Sequence, residues 1–277
     1  MEARLAGTDR GRRGRGRRSA RGVALGVSLP GMTGEPMNLD GKIAVIYGAG
    51  TIGGAIASAF ARAGAEVHLA ARTEASLKAK AEELGVAYAV VDALDERSVD
   101  EHAATLDRID ISVNVISDND VQGTPLHEMS VDDYLSPVVT NVRSKFLTAR
   151  AAARHMIRQG GGVILFFGGT SDGRVHRRWQ LGGLVAAFDA VEAMRRQLAA
   201  ELGPHGVRTV TLQTGGIPES IPESFRDQVE PDIVGQTALG RAATLEDVGR
   251  AAVFAASDWG RTITGAQVNI TCGAILS

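Results

Sequence analysis

The sequence predicts an α/β fold, one doubly wound parallel sheet in a single domain, and three observations carry that expectation. From Asp40 onward, apolar runs of four to six residues alternate with stretches of ten or more at helical spacing. The connections are short, and no segment repeats. The first run passes straight into a glycine-rich turn and then a small-residue stretch. Apolar runs of this kind are strands covered on both faces, and strands separated by helices are joined by right-handed crossovers.

The elements follow in order. Ile43 to Tyr47 reads as a first strand, Ile52 to Ala63 as a helix, and Val67 to Ala70 as a second strand. Helix Glu74 to Leu84, strand Tyr88 to Val91, helix Glu96 to Leu106 and strand Ile111 to Val115 complete the first half. A long helix is expected from about Asn141 to Gln159, stopped by Gly160 to Gly162. Strand Val163 to Phe167 leads into a Gly- and Arg-rich loop reaching Gly183. A helix from about Leu184 to Leu202 ends at Gly203-Pro204, a stop signal. After strand Thr209 to Gln213, the Pro-punctuated stretch Gly215 to Pro231 reads as a mobile lid. Helix Leu245 to Ser257 and strand Gln267 to Ile270 close the pattern.

Composition narrows the function classes. With 44% hydrophobic and 22% charged residues, the 277-residue chain can bury a sizeable core. No apolar run approaches the roughly 20 residues of a membrane span, so no membrane partner is expected. A single cysteine, Cys272, excludes an internal disulfide framework, and a reducing, cytoplasmic setting is the expectation. The six histidines form no HxH or HxxxH pair, which argues against a zinc site. Aromatics are only 4% of the chain, too few for the stacking platforms of a single-strand nucleic-acid binder.

Charge is unevenly placed. Met1 to Arg21 holds eight arginines against Glu2 and Asp9, a local surplus of six positive charges within a formal total of −2. The remainder is therefore acidic, unlike a nucleic-acid surface. Residues 1–36 are expected to be a basic, disordered extension and 37–277 the folded domain. The extension's functional readings are a nucleic-acid tail, a transit peptide or a twin-arginine signal; with Met32 and Met37 just before the domain, an extension with no role is the preferred reading.

The turn after the first strand is Gly48-Ala49-Gly50-Thr51-Ile52-Gly53, a GxGxxG in the setting of strand, turn and helix start. Gly48 permits the tight turn, Gly50 removes the Cβ that would block a pyrophosphate, and Gly53 lets helix and strand close. The phosphates then rest on free N–H groups at the positive end of the helix. A site specific for NAD usually carries an acid at the end of the second strand, for the ribose 2′-OH. Here the sequence is Ala70-Ala71-Arg72-Thr73. Arg72 can instead pair with a 2′-phosphate, so NADP(H) is the expected cofactor.

These marks resemble the short-chain dehydrogenase/reductase family, from Asp40 to about Ala274, and imply its Rossmann-like sheet. Leu39-Asp40-Gly41-Lys42 is similar to that family's lead-in. Val91-Asp92-Ala93 looks like its adenine-contacting segment, although an Asp there could equally cap a helix. Asp110 to Ile116 resembles the family's DxLVNNAG motif and keeps its first Asn as Asn114. Asn141, in Thr140-Asn141-Val142, sits where the family places a catalytic Asn; its plainer reading is an N-cap of the long helix. Leu198 to Arg208, Gly240-Arg241, Glu246-Asp247-Val248 and Thr264-Gly265 match later segments. The resemblance also implies Ile217 as a cofactor contact, a small-molecule substrate and a homotetramer. The alanines Ala149, Ala151, Ala152 and Ala153 on the long helix would let another helix approach closely.

The departures bear on chemistry. The family's proton donor and its helper form a YxxxK on the helix after strand five. Here Leu184 falls at the Tyr position, Phe188 at the Lys position, and Gly169 or Gly168 at the substrate-binding Ser. The tyrosines are Tyr47, Tyr88 and Tyr134 and the lysines Lys42, Lys78, Lys80 and Lys145; no pair stands at i and i+4. Hydride addition to a carbonyl leaves an alkoxide that a positioned acid must protonate, so the family's usual mechanism is excluded. The candidates to replace it are His176, whose unperturbed pKa suits proton transfer, with Ser171 and Thr170 orienting the carbonyl, and Tyr134 as rival donor. Arg174, Arg177 and Arg178 would lower the His176 pKa, and a solvated loop histidine is the plainer reading. Three functions stay open: an NADP(H)-dependent oxidoreductase with a relocated donor or a C=C or imine substrate, a non-redox enzyme, or a non-catalytic nucleotide-binding subunit.

Overall fold

The computed structural model describes residues 37–168 and 179–276. Seven parallel strands form one sheet in the order β3-β2-β1-β4-β5-β6-β7: β1 (Ile43–Tyr47), β2 (Glu66–Ala71), β3 (Ala87–Val90), β4 (Ile111–Asn114), β5 (Gly162–Gly168), β6 (Val207–Gln213) and β7 (Ala266–Asn269). The described helices are α1 (Thr51–Arg62), α2 (Glu74–Leu84), α3 (Glu96–Ala104), α4 (Val131–Gln159), α5 (Leu184–Leu202), α6 (Glu223–Gly235) and α7 (Leu245–Ala256). The expected doubly wound sheet is the observed one.

Period-two side-chain alternation explains the two cores. On β1, Ala44 and Ile46 face one layer while Val45 and Tyr47 face the other. The first layer is closed by Ile56 and Phe60 of α1 and by Val248, Ala252 and Ala255 of α7. The second is closed by Val99 of α3, Leu147 and Met156 of α4, and Val191 of α5. Each large side chain removed from water here contributes roughly 1.5–3 kcal/mol.

Two expectations change. The long helix begins at Val131, capped by the Ser130 hydroxyl, which accepts from the Asp133 N–H at 3.0 Å. It runs through Pro137, so Asn141 is an interior residue rather than a cap. Proline usually breaks a helix, but here the buried Pro137 is accommodated because packing holds the surrounding turns. The expected lid from Gly215 to Pro231 is instead a short 3₁₀ turn at Pro218–Ser220 followed by α6, with Pro222 at its N-cap. Proline's fixed φ suits a helix start, so these prolines punctuate without preventing structure.

The four alanines of α4 are buried within the chain, in the second core layer, and so are not the surface a partner helix would meet. The exposed apolar residues of α4 are Val131, Leu135, Val139, Phe146 and Ile157, which share one face at helical spacing. Among the described residues, no helix is long and apolar enough to cross a membrane.

Candidate functional site

The glycine turn is built as the spacing requires. Gly48 has φ +117°, and a Cβ there would stand 2.7 Å from the Val115 carbonyl oxygen. A Cβ at Gly53 would stand 1.8 Å from the Gly48 carbonyl oxygen, so only glycine lets α1 close on β1. Gly50 differs from both. It is the N-cap of α1, with no side-chain cap and no acid in the first turn, and a Cβ there would meet nothing within 4 Å. Open space thus lies beside uncapped N–H groups, an arrangement that fits a phosphate.

The neighbouring strands bring the other expected contacts to the same edge of the sheet. Tyr47 of β1 is in register with Ala70 of β2 and Asn114 of β4, and Ala71 with Val90 of β3. Thr51 is exposed at the start of α1, and Arg72 is exposed just beyond β2 with no ion pair among the described residues. Asp92 Oδ1 accepts from the Leu94 N–H, closing a turn in which Ala93 is buried. The cap of α3 is Asp95, not Asp92. The buried Asn114 amide donates to the Thr148 hydroxyl at 3.0 Å and accepts from the Ile116 N–H, pinning the end of β4 to α4.

Beside this turn opens a cavity of about 500 Å³, within the usual range for small-molecule sites. Ile52 and Ile217 link it to the glycine turn. Leu184 and Phe188 of α5 form one wall, and Val229 and Ile233 of α6 another. Gly168, at the end of β5, lies against Phe188. Ser117, Asp118 and Gln122 bring polarity from the loop after β4. The segment expected as a lid therefore supplies a helical wall.

Asn141 is buried on α4 with both ends of its amide engaged. Its Nδ2 donates to the Pro137 carbonyl at 3.1 Å, and its Oδ1 accepts from Lys145 Nζ at 2.5 Å. Lys145 is 1% exposed, and burial pulls its pKa down to about 8 against the opposing pull of the Asp118 carboxylate. Burial pushes the Asp118 carboxyl above its usual range, while Lys145 and Asn141 favour its charged form. Tyr134, in the first turn of α4, is partly exposed and outside the cavity lining. His176, Ser171 and Thr170 lie outside the described residues. The sequence reading missed Asp118 and Lys145. Their signals were a carboxylate soon after the β4 motif and a lysine one helical turn after Asn141.

Fold and site together define a Rossmann-like α/β protein, with its glycine turn and cavity at the carboxyl ends of the strands. A family profile described as "Enoyl-(Acyl carrier protein) reductase" matches residues 48–274. Galactitol 2-dehydrogenase (L-tagatose-forming) of Cereibacter sphaeroides is 32% identical over 245 residues, covering 85% of this chain and 95% of that protein. D-Threitol dehydrogenase of Mycolicibacterium smegmatis is 32% identical over 246 residues, covering 85% and 93%. A gluconate 5-dehydrogenase from Burkholderia cenocepacia, solved in complex with NADP and tartrate, superposes with a TM-score of 0.72 at 26% identity, covering 86% of this chain and 96% of that one. The chain belongs to the short-chain dehydrogenase/reductase family.

Proposed function

We propose that this protein is an NADP(H)-dependent oxidoreductase that acts on a small, largely apolar molecule with a proton donor other than the family's tyrosine. The observation that carries the reading is the uncapped Gly50 end of α1, open to a phosphate and joined through Ile52 to the neighbouring cavity. The named dehydrogenase relatives and the NADP in the gluconate 5-dehydrogenase structure support it. Gly48, Gly50, Thr51, Ile52, Gly53, Asp92, Ala93, Asn114 and Ile217 would hold the dinucleotide, and Arg72 its 2′-phosphate. The bound dinucleotide would supply or accept hydride.

The chain's own residues shape what can react. Leu184 and Phe188 neither donate a proton nor hold a hydroxyl group, so they give the cavity an apolar wall that suits an apolar part of a substrate. An exposed Arg72 can choose between cofactors because a guanidinium pairs bidentately with phosphate and gains little from a bare ribose.

The test is a screen of apolar ketones, enones and cyclic imines, followed by NADPH absorbance, with NADPH and NADH affinities measured alongside. Turnover with NADPH, and Arg72→Ala weakening NADPH about tenfold or more while leaving NADH little changed, is the expected result. Equal affinities in the unaltered protein refute the cofactor choice. NADPH binding without turnover of any compound refutes the oxidoreductase reading.

A further inference from the structure

We propose that Asp118 is the acid–base group of the cavity and that the buried ammonium of Lys145, held by Asn141, sets its proton affinity. The inference rests on the oxidoreductase reading and identifies the proton donor that reading requires.

Asp118 is the one titratable side chain among the described residues that line the cavity. The others there are apolar groups, hydroxyls and amides, none of which exchanges protons near neutral pH. Asp118 follows β4 at the carboxyl edge of the sheet, on the loop that also brings Ile116 and Ser117 to the cavity.

Lys145 lies on α4, outside the residues that line the cavity. It is 1% exposed, yet among the described residues its only hydrogen bond is the one to Asn141 Oδ1, although an ammonium has three protons to donate. A buried charge so thinly satisfied is weak evidence of a structural role, since an apolar side chain of similar volume would often pack as well or better. The carboxylate that acts on it is Asp118. The charged groups acting on Asp118 are Lys145 from α4 and Asp120 from its own loop, while α5 gives that side of the cavity Leu184 and Phe188.

This arrangement suits proton transfer in both directions. Burial favours the protonated carboxyl, and the fixed ammonium and Asn141 amide favour the carboxylate left when the proton departs. The two groups are therefore drawn toward neutrality from opposite sides, as an acid–base site needs. In carbonyl reduction, a bound reduced dinucleotide would supply hydride to the carbonyl carbon, and the C=O π pair would move onto oxygen. The Asp118 O–H proton passes to that oxygen, giving the alcohol and an Asp118 carboxylate beside Lys145. Water entering the cavity restores the proton. In alcohol oxidation the same carboxylate accepts the hydroxyl proton.

The decisive measurement is a ¹³C-NMR titration of the Asp118 carboxyl in the full-length protein and in Lys145→Met. The unaltered protein should titrate above the ordinary Asp value, and loss of the ammonium should raise the midpoint further by about one pH unit or more. An ordinary midpoint that Lys145→Met leaves in place overturns the pairing. With any compound turned over in the screen, Asp118→Asn should cut kcat about 10²–10⁴-fold while Asp118→Glu restores part of it. Lys145→Met should move the alkaline fall of kcat/KM upward by the same amount as the titration. Full activity in Asp118→Asn, above all with loss in His176→Ala, overturns the assignment. If no compound is turned over, the oxidoreductase reading fails by itself, and the titration still decides whether Lys145 tunes Asp118.

Discussion

His102 should make the protein sensitive to mild acid, and the expected size of the effect follows from its surroundings. The ring lies on α3 at 8% exposure, edge-on to Tyr47 of β1 with centroids 6.0 Å apart, and its Nδ1 has no hydrogen-bond partner. Burial, with a smaller contribution from the charge of His68, lowers its pKa from 6.5 to about 4. Between those values the unfolded chain binds a proton that the folded chain does not, so stability falls as pH falls through that window. At 1.36 kcal/mol per pKa unit, the loss is about 2 kcal/mol between pH 7 and pH 5 and about 3 kcal/mol once pH drops below 4. His102→Phe keeps a ring against Tyr47 and removes the proton site. Urea unfolding of both proteins at pH 7, 6 and 5 isolates the difference, because other titrating groups are shared. The unaltered protein should lose about 2 kcal/mol more than His102→Phe by pH 5. Parallel slopes would mean that His102 takes up its proton in the folded state and that its burial does not resist charging.

Three further outcomes are expected. Gly53→Ala places a Cβ 1.8 Å from the Gly48 carbonyl oxygen, so the turn must open; NADPH affinity should fall at least a hundredfold in a fluorescence titration, and unchanged affinity would contradict the cradle. Deleting residues 1–36 should leave the melting temperature within a degree or two and NADPH affinity unchanged, and a clear loss in either would give that segment a role. Light scattering at micromolar concentration should report a tetramer, with Leu135→Glu and Phe146→Glu on the exposed face of α4 dissociating it; a monomeric unaltered protein would end that expectation.

Much of the fold was written locally. β1 at Ile43–Tyr47, α2 at Glu74–Leu84 and α5 at Leu184–Leu202 were legible to the residue, because continuous apolar runs and glycine stops specify strands and helix ends over short distances. The glycine turn was equally legible: Gly48 and Gly53 are glycines because neighbouring backbone occupies the space of a side chain. Local reading failed at two helix starts. α4 begins at Val131 and runs through Pro137, and α6 follows Pro222, since packing against the sheet and cavity outweighs a breaker's local preference.

The acid–base group was beyond sequence reading for a different reason. Absence of a YxxxK pair could be established residue by residue, but nothing in chain order joins Asp118 to Lys145, 27 positions later on another element. Only the packing of α4 against the end of β4 buries the ammonium near the carboxyl, at a cavity whose other described side chains do not titrate near neutral pH. Proton affinity depends on that burial and proximity. The sequence alone determined a doubly wound sheet and the absence of any Tyr and Lys at i and i+4, and the tertiary structure decided which buried charges stand beside the cavity.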